Sequence, residues 1–65
     1  MAVFPYKGQM PDVAEDVFIA PTASVVGDVR IGAGTNIWFG SVVRGDVNSV
    51  VIGKHTNVQD NATIH

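Results

Sequence analysis

An aliphatic residue recurs every six positions along most of this chain. The series runs Val13, Ile19, Val25, Ile31, Ile37, Val43 and, after three extra residues placed at Ser49, Val50 and Val51, resumes at Ile52, Val58 and Ile64. Four residues behind each aliphatic sits a small or β-branched partner: Val17, Ala23, Val29, Thr35, Ser41, Val47, Thr56 and Ala62. Six is not a helical period, and this density of β-branched residues and glycine opposes a helix. An antiparallel sandwich would not hold phase over so many positions. A strict six-residue repeat is the mark of a parallel β-helix, in which each repeat supplies one short strand and a turn. The fold class expected is therefore all-β.

Three such repeats close a triangular coil, and stacked coils lie about 4.8 Å apart, the spacing of hydrogen-bonded strands. The aliphatic series then forms three internal ladders, Val13/Ile31/Ile52, Ile19/Ile37/Val58 and Val25/Val43/Ile64, with residues 49–51 expected to bulge outward as a small loop. Residues 1–12 lie outside the period. Val3, Phe4 and Tyr6 suit a short strand and Pro11-Asp12 a turn, so 1–12 is expected to cap the repeat region 13–65. The last ladder breaks off at Ile64, and the chain reads as the N-terminal part of a longer protein, its β-helix truncated at the C-terminal end.

Composition narrows the function classes. Hydrophobic content of 46% with 15% charged residues is that of a folded chain, and 65 residues allow one small domain at most. A net charge of -2 gives no electrostatic reason to expect nucleic acid or an anionic membrane as partner. No apolar run reaches the roughly 20 residues of a membrane span, and the first ten residues lack the apolar core of a secretory signal. A soluble, cytoplasmic protein is the default expectation. Without cysteine there is no disulfide framework and no thiolate metal site, so any metal must use histidine or carboxylate.

Strand alternation assigns directions to the remaining side chains. With the aliphatics inward, Val26, Arg44 and His65 point outward one above another. Ala20, Trp38 and Gln59 do so on the preceding face, flanked by Phe18, Asn36 and Asn57. Asp60 falls at the corner between these faces, and Asp46 at the corner that ends the Arg44 strand. Outward Phe18, Val26, Trp38 and Val42 suggest a covered surface. Because convex faces do not enclose a substrate, a pocket built on them requires a neighbouring subunit. His55 is expected in a solvated turn, and Asn36, Asn57 and Gln59 are also placed for stacked amide ladders. Arg44, Gly45 and Asp46 spell an adhesion motif, but such motifs act from flexible loops and Arg44 is expected within a strand.

The six-residue pattern resembles the left-handed β-helix family, and the handedness expected here comes from that resemblance. The ordered motifs Arg44-Gly45-Asp46, Asn57-Val58-Gln59-Asp60 and His65 resemble the γ-class carbonic anhydrases and their close homologues. Pro5-Tyr6-Lys7-Gly8 and Ile19-Ala20-Pro21-Thr22-Ala23 are similar to that family's start. The resemblance implies a homotrimer that hydrates carbon dioxide reversibly to bicarbonate at a metal, Zn²⁺ or Fe²⁺, between adjacent subunits. It makes His65 the first of three histidine ligands, the other two lying outside this chain. It makes Arg44, Asp46 and Asp60 inter-subunit ion pairs, Gln59 the catalytic carboxamide beside the metal-bound hydroxide, and Asn57 a supporting residue. Val47, Asn48 and Ser49 stand where the best-characterised members carry an acidic loop, so the usual proton shuttle is missing. Two other functions are compatible with the repeat: an acyl-CoA-dependent acyltransferase, and a non-catalytic metal-binding or assembly protein. The 65 residues alone are expected to be inactive.

Overall fold

The computed structural model describes residues 2–65. Eight strands follow one another: β1 (Ala2–Phe4), β2 (Asp12–Val13), β3 (Phe18–Ile19), β4 (Ser24–Ile31), β5 (Asn36–Ile37), β6 (Val42–Ile52), β7 (Asn57–Val58) and β8 (Thr63–Ile64). Most are two or three residues long, because a six-residue repeat leaves little straight chain between corners. Only β4 and β6 carry their pairing through a corner. All pairings between strands are parallel, and no helix occurs among the described residues. Among the described residues no helix is long and apolar enough to cross a membrane.

The strands stack as coils of a parallel β-helix. One sheet runs β1-β4-β6-β8, with β2 alongside the far half of β4, and the other runs β3-β5-β7. The register reproduces the three expected ladders residue for residue: Val13↔Ile31↔Ile52, Ile19↔Ile37↔Val58 and Val25↔Val43↔Ile64. The first strand extends the last of these, since Val3 pairs with Val25. Ile31, Ile37, Val25, Val29 and Val43 are fully buried along the axis. Each such side chain contributes about 1.5–3 kcal/mol by leaving water.

Two hydroxyls share that interior, and both serve corners of the next coil. Thr35 Oγ1 donates to the Gly53 carbonyl (2.8 Å) and accepts from the Thr56 amide (3.2 Å). Ser41 Oγ repeats the arrangement, donating to the Gln59 carbonyl (2.6 Å) and accepting from the Ala62 amide (3.3 Å). A corner turns backbone groups away from the strand ladder, and a buried hydroxyl satisfies them where water cannot reach. His55 occupies a turn, as expected, in the left-handed region at φ 52°. Its imidazole packs over Gly34, whose missing Cβ leaves the room.

Two expectations fail. The extra residues are not 49–51. Gly27 pairs with Gly45 and Val29 with Val50, so a single residue, Asp28, on β4 faces residues 46–49 on β6. Val50 and Val51 are back in register against Val29 and Arg30, and the loop leaves the coil immediately after Gly45. Val47 accordingly stands 79% exposed instead of joining the inner row, where the half-buried Val50 takes its place. The second failure is Ala20, which is fully buried and part of the core. Its N–H donates to the Ile37 carbonyl and its C=O accepts from the Ala23 amide, so the residue forms a corner and its methyl does not reach past the coil. Of the outward apolar residues, Phe18 is exposed while Val26, Trp38 and Val42 are half-buried. Phe18 and Trp38 lie with ring centroids 5.0 Å apart, and the indole N–H donates to Asn36 Oδ1 at 2.8 Å.

Candidate functional site

Register places Arg44 beside His65. Val43 pairs with Ile64, and the residue that follows each points outward on the same face, one coil apart. Asp46 joins them because the chain swings out of the coil after Gly45. The Arg44 guanidinium donates from Nη2 to Asp46 Oδ2 at 2.6 Å, a short charge-assisted bond. On the other side of the same carboxylate, Oδ1 lies 3.3 Å from His65 Nε2. The Asp46 side chain is 17% exposed, against 44% for Arg44 and 47% for His65.

This environment holds the Asp46 carboxyl below the ordinary value of 3.8. The hydrogen bond from Arg44 is the largest cause; loss of solvent around the carboxylate works against it. The backbone N–H groups of Val47 and Asp46 and the Arg44 charge add to the lowering. Asp46 is therefore an anion throughout the neutral range, aimed at an imidazole. A shallow depression opens beside the cluster, lined by Val47, Asn48 and His65. The lining residues from the loop carry no charge.

The other expected site residues sit elsewhere. Asn57 lies on β7 above Asn36 in the same register. Gln59 and Asp60 follow β7, with exposed side chains. Among the described residues no hydrogen bond or ion pair joins Asn57, Gln59 or Asp60 to Arg44, Asp46 or His65. Gln59 is nonetheless held, since its carbonyl is the acceptor for Ser41. Ser41 was not marked by the sequence reading as part of the site, and Val47 and Asn48 were marked only as standing in place of an acidic loop. The Ser41 signal was available, as hydroxyls at the same repeat position in Thr35, Ser41 and Thr56.

No group of three histidine, cysteine, aspartate or glutamate side chains placed to hold a metal occurs among the described residues. What the chain does offer is one half-exposed imidazole with a half-buried carboxylate against its ring nitrogen. Metal-ligating histidines characteristically carry such a carboxylate on their second nitrogen. The donor set fits one ligand's share of a multi-histidine centre.

Residues 11–45 match the model of the bacterial transferase hexapeptide family (six repeats). The chain belongs to the hexapeptide-repeat family. Within that family its relatives bear out the likeness to γ carbonic anhydrases. The chain is 58% identical over 55 residues to the mitochondrial gamma carbonic anhydrase 2 of Arabidopsis thaliana, covering 85% of this chain and 20% of that protein. It is 49% identical over 63 residues to a carbonic anhydrase of Geobacillus kaustophilus, covering 97% of this chain and 35% of that one. A crystal structure of a Bacillus cereus protein, provisionally assigned as an acetyltransferase, superposes on this hexapeptide-repeat chain with a TM-score of 0.92. That protein is 44% identical, and the match covers 95% of this chain and 36% of the other. The chain thus spans between about a fifth and about a third of the length of these proteins.

Proposed function

We propose that these residues belong to a γ-carbonic-anhydrase-like protein that assembles as a homotrimer and hydrates carbon dioxide reversibly to bicarbonate at a subunit interface. The observation that carries this reading is the convergence of Arg44, Asp46 and His65 on one outward face, beside an open depression. His65 would contribute one imidazole to a three-histidine centre for Zn²⁺ or Fe²⁺, the remaining ligands coming from residues outside this chain. When bound in such a site, the metal supplies a water whose pKa is lowered to about 7, and so a nucleophile at neutral pH.

The chain's own residues then do four things. Asp46 holds His65 and is itself held by Arg44. Asp60, exposed at a corner, is available to pair with a cation on an adjacent subunit. Gln59 presents a neutral carboxamide that can orient the attacking oxygen without adding charge, with Asn57 supporting that face. Val47 and Asn48 give the mouth an uncharged wall suited to a small apolar substrate. A single convex coil cannot enclose that substrate, which is why assembly is part of the proposal.

A second reading, acyl transfer from an acyl-CoA, is favoured by the Bacillus cereus structure. Stopped-flow measurement of carbon dioxide hydration separates the two. The full-length protein loaded with Zn²⁺ or Fe²⁺ should turn over carbon dioxide, and His65→Ala should reduce it to the rate of metal-free protein. Equal rates in both, together with acyl-CoA-dependent thiol release, would transfer the assignment to the acyltransferase reading. Metal uptake by a trimer without either activity would leave a non-catalytic assembly protein.

A further inference from the structure

Residues 46–49 are the one stretch of β6 that has no register partner on β4, and an asparagine stands within it. The chain has four asparagines, Asn36, Asn48, Asn57 and Asn61. Asparagine is a thermolabile residue. Its loss begins when the backbone nitrogen of the next residue attacks the side-chain carbonyl carbon. The attack requires a small following side chain, a nitrogen not committed to a hydrogen bond, and main chain able to bend. Three of the four positions deny it. Asn36 precedes Ile37 and Asn57 precedes Val58, stiff β-branched residues buried in the ladder Ile19↔Ile37↔Val58. Asn61 precedes the small Ala62, but the Ala62 amide donates to the Gln59 carbonyl and to Ser41 Oγ, both at 3.3 Å. Asn48 alone precedes a small, exposed residue outside the paired register, Ser49.

We infer that Asn48 is a deamidation site, where the uncharged wall of the depression beside His65 becomes one that carries a carboxylate. The Ser49 nitrogen gives up its proton and bonds to Asn48 Cγ. The bond from Cγ to the NH₂ group breaks, and ammonia leaves with that proton from a cyclic imide. Water then opens the imide. Cleavage of the new N–Cγ bond gives aspartate. Cleavage of the original peptide bond gives isoaspartate, whose main chain runs through the former side chain and is a carbon longer. Nothing is oxidised or reduced, since amide and water become carboxylate and ammonium. The fold tolerates either product at this place. Within a ladder a longer main chain would move the strand out of register. At residues 46–49 the pairs Gly27↔Gly45 and Val29↔Val50 hold the flanks independently, so the coil keeps its count. Asn48 lines the depression with Val47 and His65, and conversion adds a negative charge there to a chain of net charge -2. A fixed anion at the mouth favours cations over anionic ligands. The inference does not use the metal-centre reading.

The test follows all four asparagines in one sample. Full-length protein is held folded in mildly alkaline buffer, then digested in acid and mapped by peptide mass spectrometry. Isoaspartate is counted separately by enzymatic methylation of its free carboxylate. Asn48 should convert several-fold faster than Asn36, Asn57 or Asn61, a comparison made within wild type. Ser49→Val should slow conversion at Asn48 several-fold, and Ser49→Gly should quicken it. Hydrogen exchange at Ile52 and Val58 should be the same before and after conversion. Earlier conversion at any other asparagine overturns the inference, as does conversion of Asn48 only in urea. An unchanged rate in Ser49→Val would show that the Ser49 nitrogen is not the attacking group. Faster exchange at Ile52 after conversion would show that the corner does not absorb the longer main chain.

Discussion

Gly45→Ala tests how tightly the coils meet at the corner where the site begins. Gly45 is buried and crosses beneath the turn of the preceding coil. A Cβ at that position would meet the Asp28 backbone, with the carbonyl carbon at 2.6 Å and the amide nitrogen at 3.0 Å. The obstruction is reciprocal, because a Cβ on Gly27 would lie 2.6 Å from the Gly45 oxygen. All of these are main-chain atoms, so no side chain can swing aside. The Asp28 carbonyl oxygen would be closer still, so bringing these contacts out to 3.0 Å parts the coils by more than about 0.4 Å, against an inter-strand spacing of about 4.8 Å. That strains hydrogen bonds on both sides of the corner and shifts Arg44 and Asp46, the two neighbours of Gly45. Overpacking of this kind costs about 1–3 kcal/mol. Gly53→Ala is the matched control, since its Cβ would find only Thr56 Oγ1 at 3.9 Å and its φ is not in the left-handed region. There the loss of unfolded-state freedom should make alanine neutral or stabilising by about 0.4–1 kcal/mol. Urea unfolding of the full-length variants, compared at constant m-value, measures both. Equal midpoints for the two variants, or a lower one for Gly53→Ala, would refute the packing argument.

Two further outcomes are expected. Ser41→Ala removes the hydroxyl that serves the Gln59 carbonyl and shares the Ala62 amide, and it should cost about 1–3 kcal/mol. Hydrogen exchange should quicken at Ala62 specifically, and an unchanged Ala62 rate would count against the capping role. The Asp46 carboxyl is held below its ordinary 3.8, so its contribution to stability is fully present above that pH and is lost as the pH falls through the lower folded value. Arg44→Met removes the main cause and should move the Asp46 titration upward when followed by carboxyl ¹³C NMR. The same titration in both proteins would show that Arg44 does not set it.

The ladders were legible because the period is long, regular and carried by residues that only an interior explains. Ile19, Ile37 and Val58 are separated by 18 and then 21 positions, and counting in sixes with one skip of three residues between Val43 and Ile52 brings them together without any knowledge of contacts. The position of the insertion was not legible. Val47, Val50 and Val51 are chemically identical, so hydrophobicity cannot say which of them leaves the coil. Only the hydrogen-bond register decides, through Val29↔Val50 and Ile31↔Ile52. Ala20 shows a related blind spot, since alternation holds along straight strand and fails at a corner. In the candidate site, the neighbourhood of Arg44 and His65 followed from the repeat. The bridging place of Asp46 did not, because it depends on where the chain departs from the coil. Gln59 and Asp60 follow β7 on the adjoining part of the coil, away from the Arg44–Asp46–His65 cluster, as alternation and corner counting implied.

The loop at residues 46–49 begins after one in-register pair and ends before another, so neither flank measures its length. β6 runs unbroken from Val42 to Ile52, yet its pairing with β4 is interrupted between Gly45 and Val50. The scaffold therefore tolerates change at this one corner as a bookshelf tolerates a protruding volume: the shelves above and below keep their spacing. Removing three residues there would return an ordinary eighteen-residue turn, and lengthening it would leave Ile52, Val58 and Ile64 where they are. Variation confined to that corner can remodel the wall beside His65 while the frame that presents His65 stays the same.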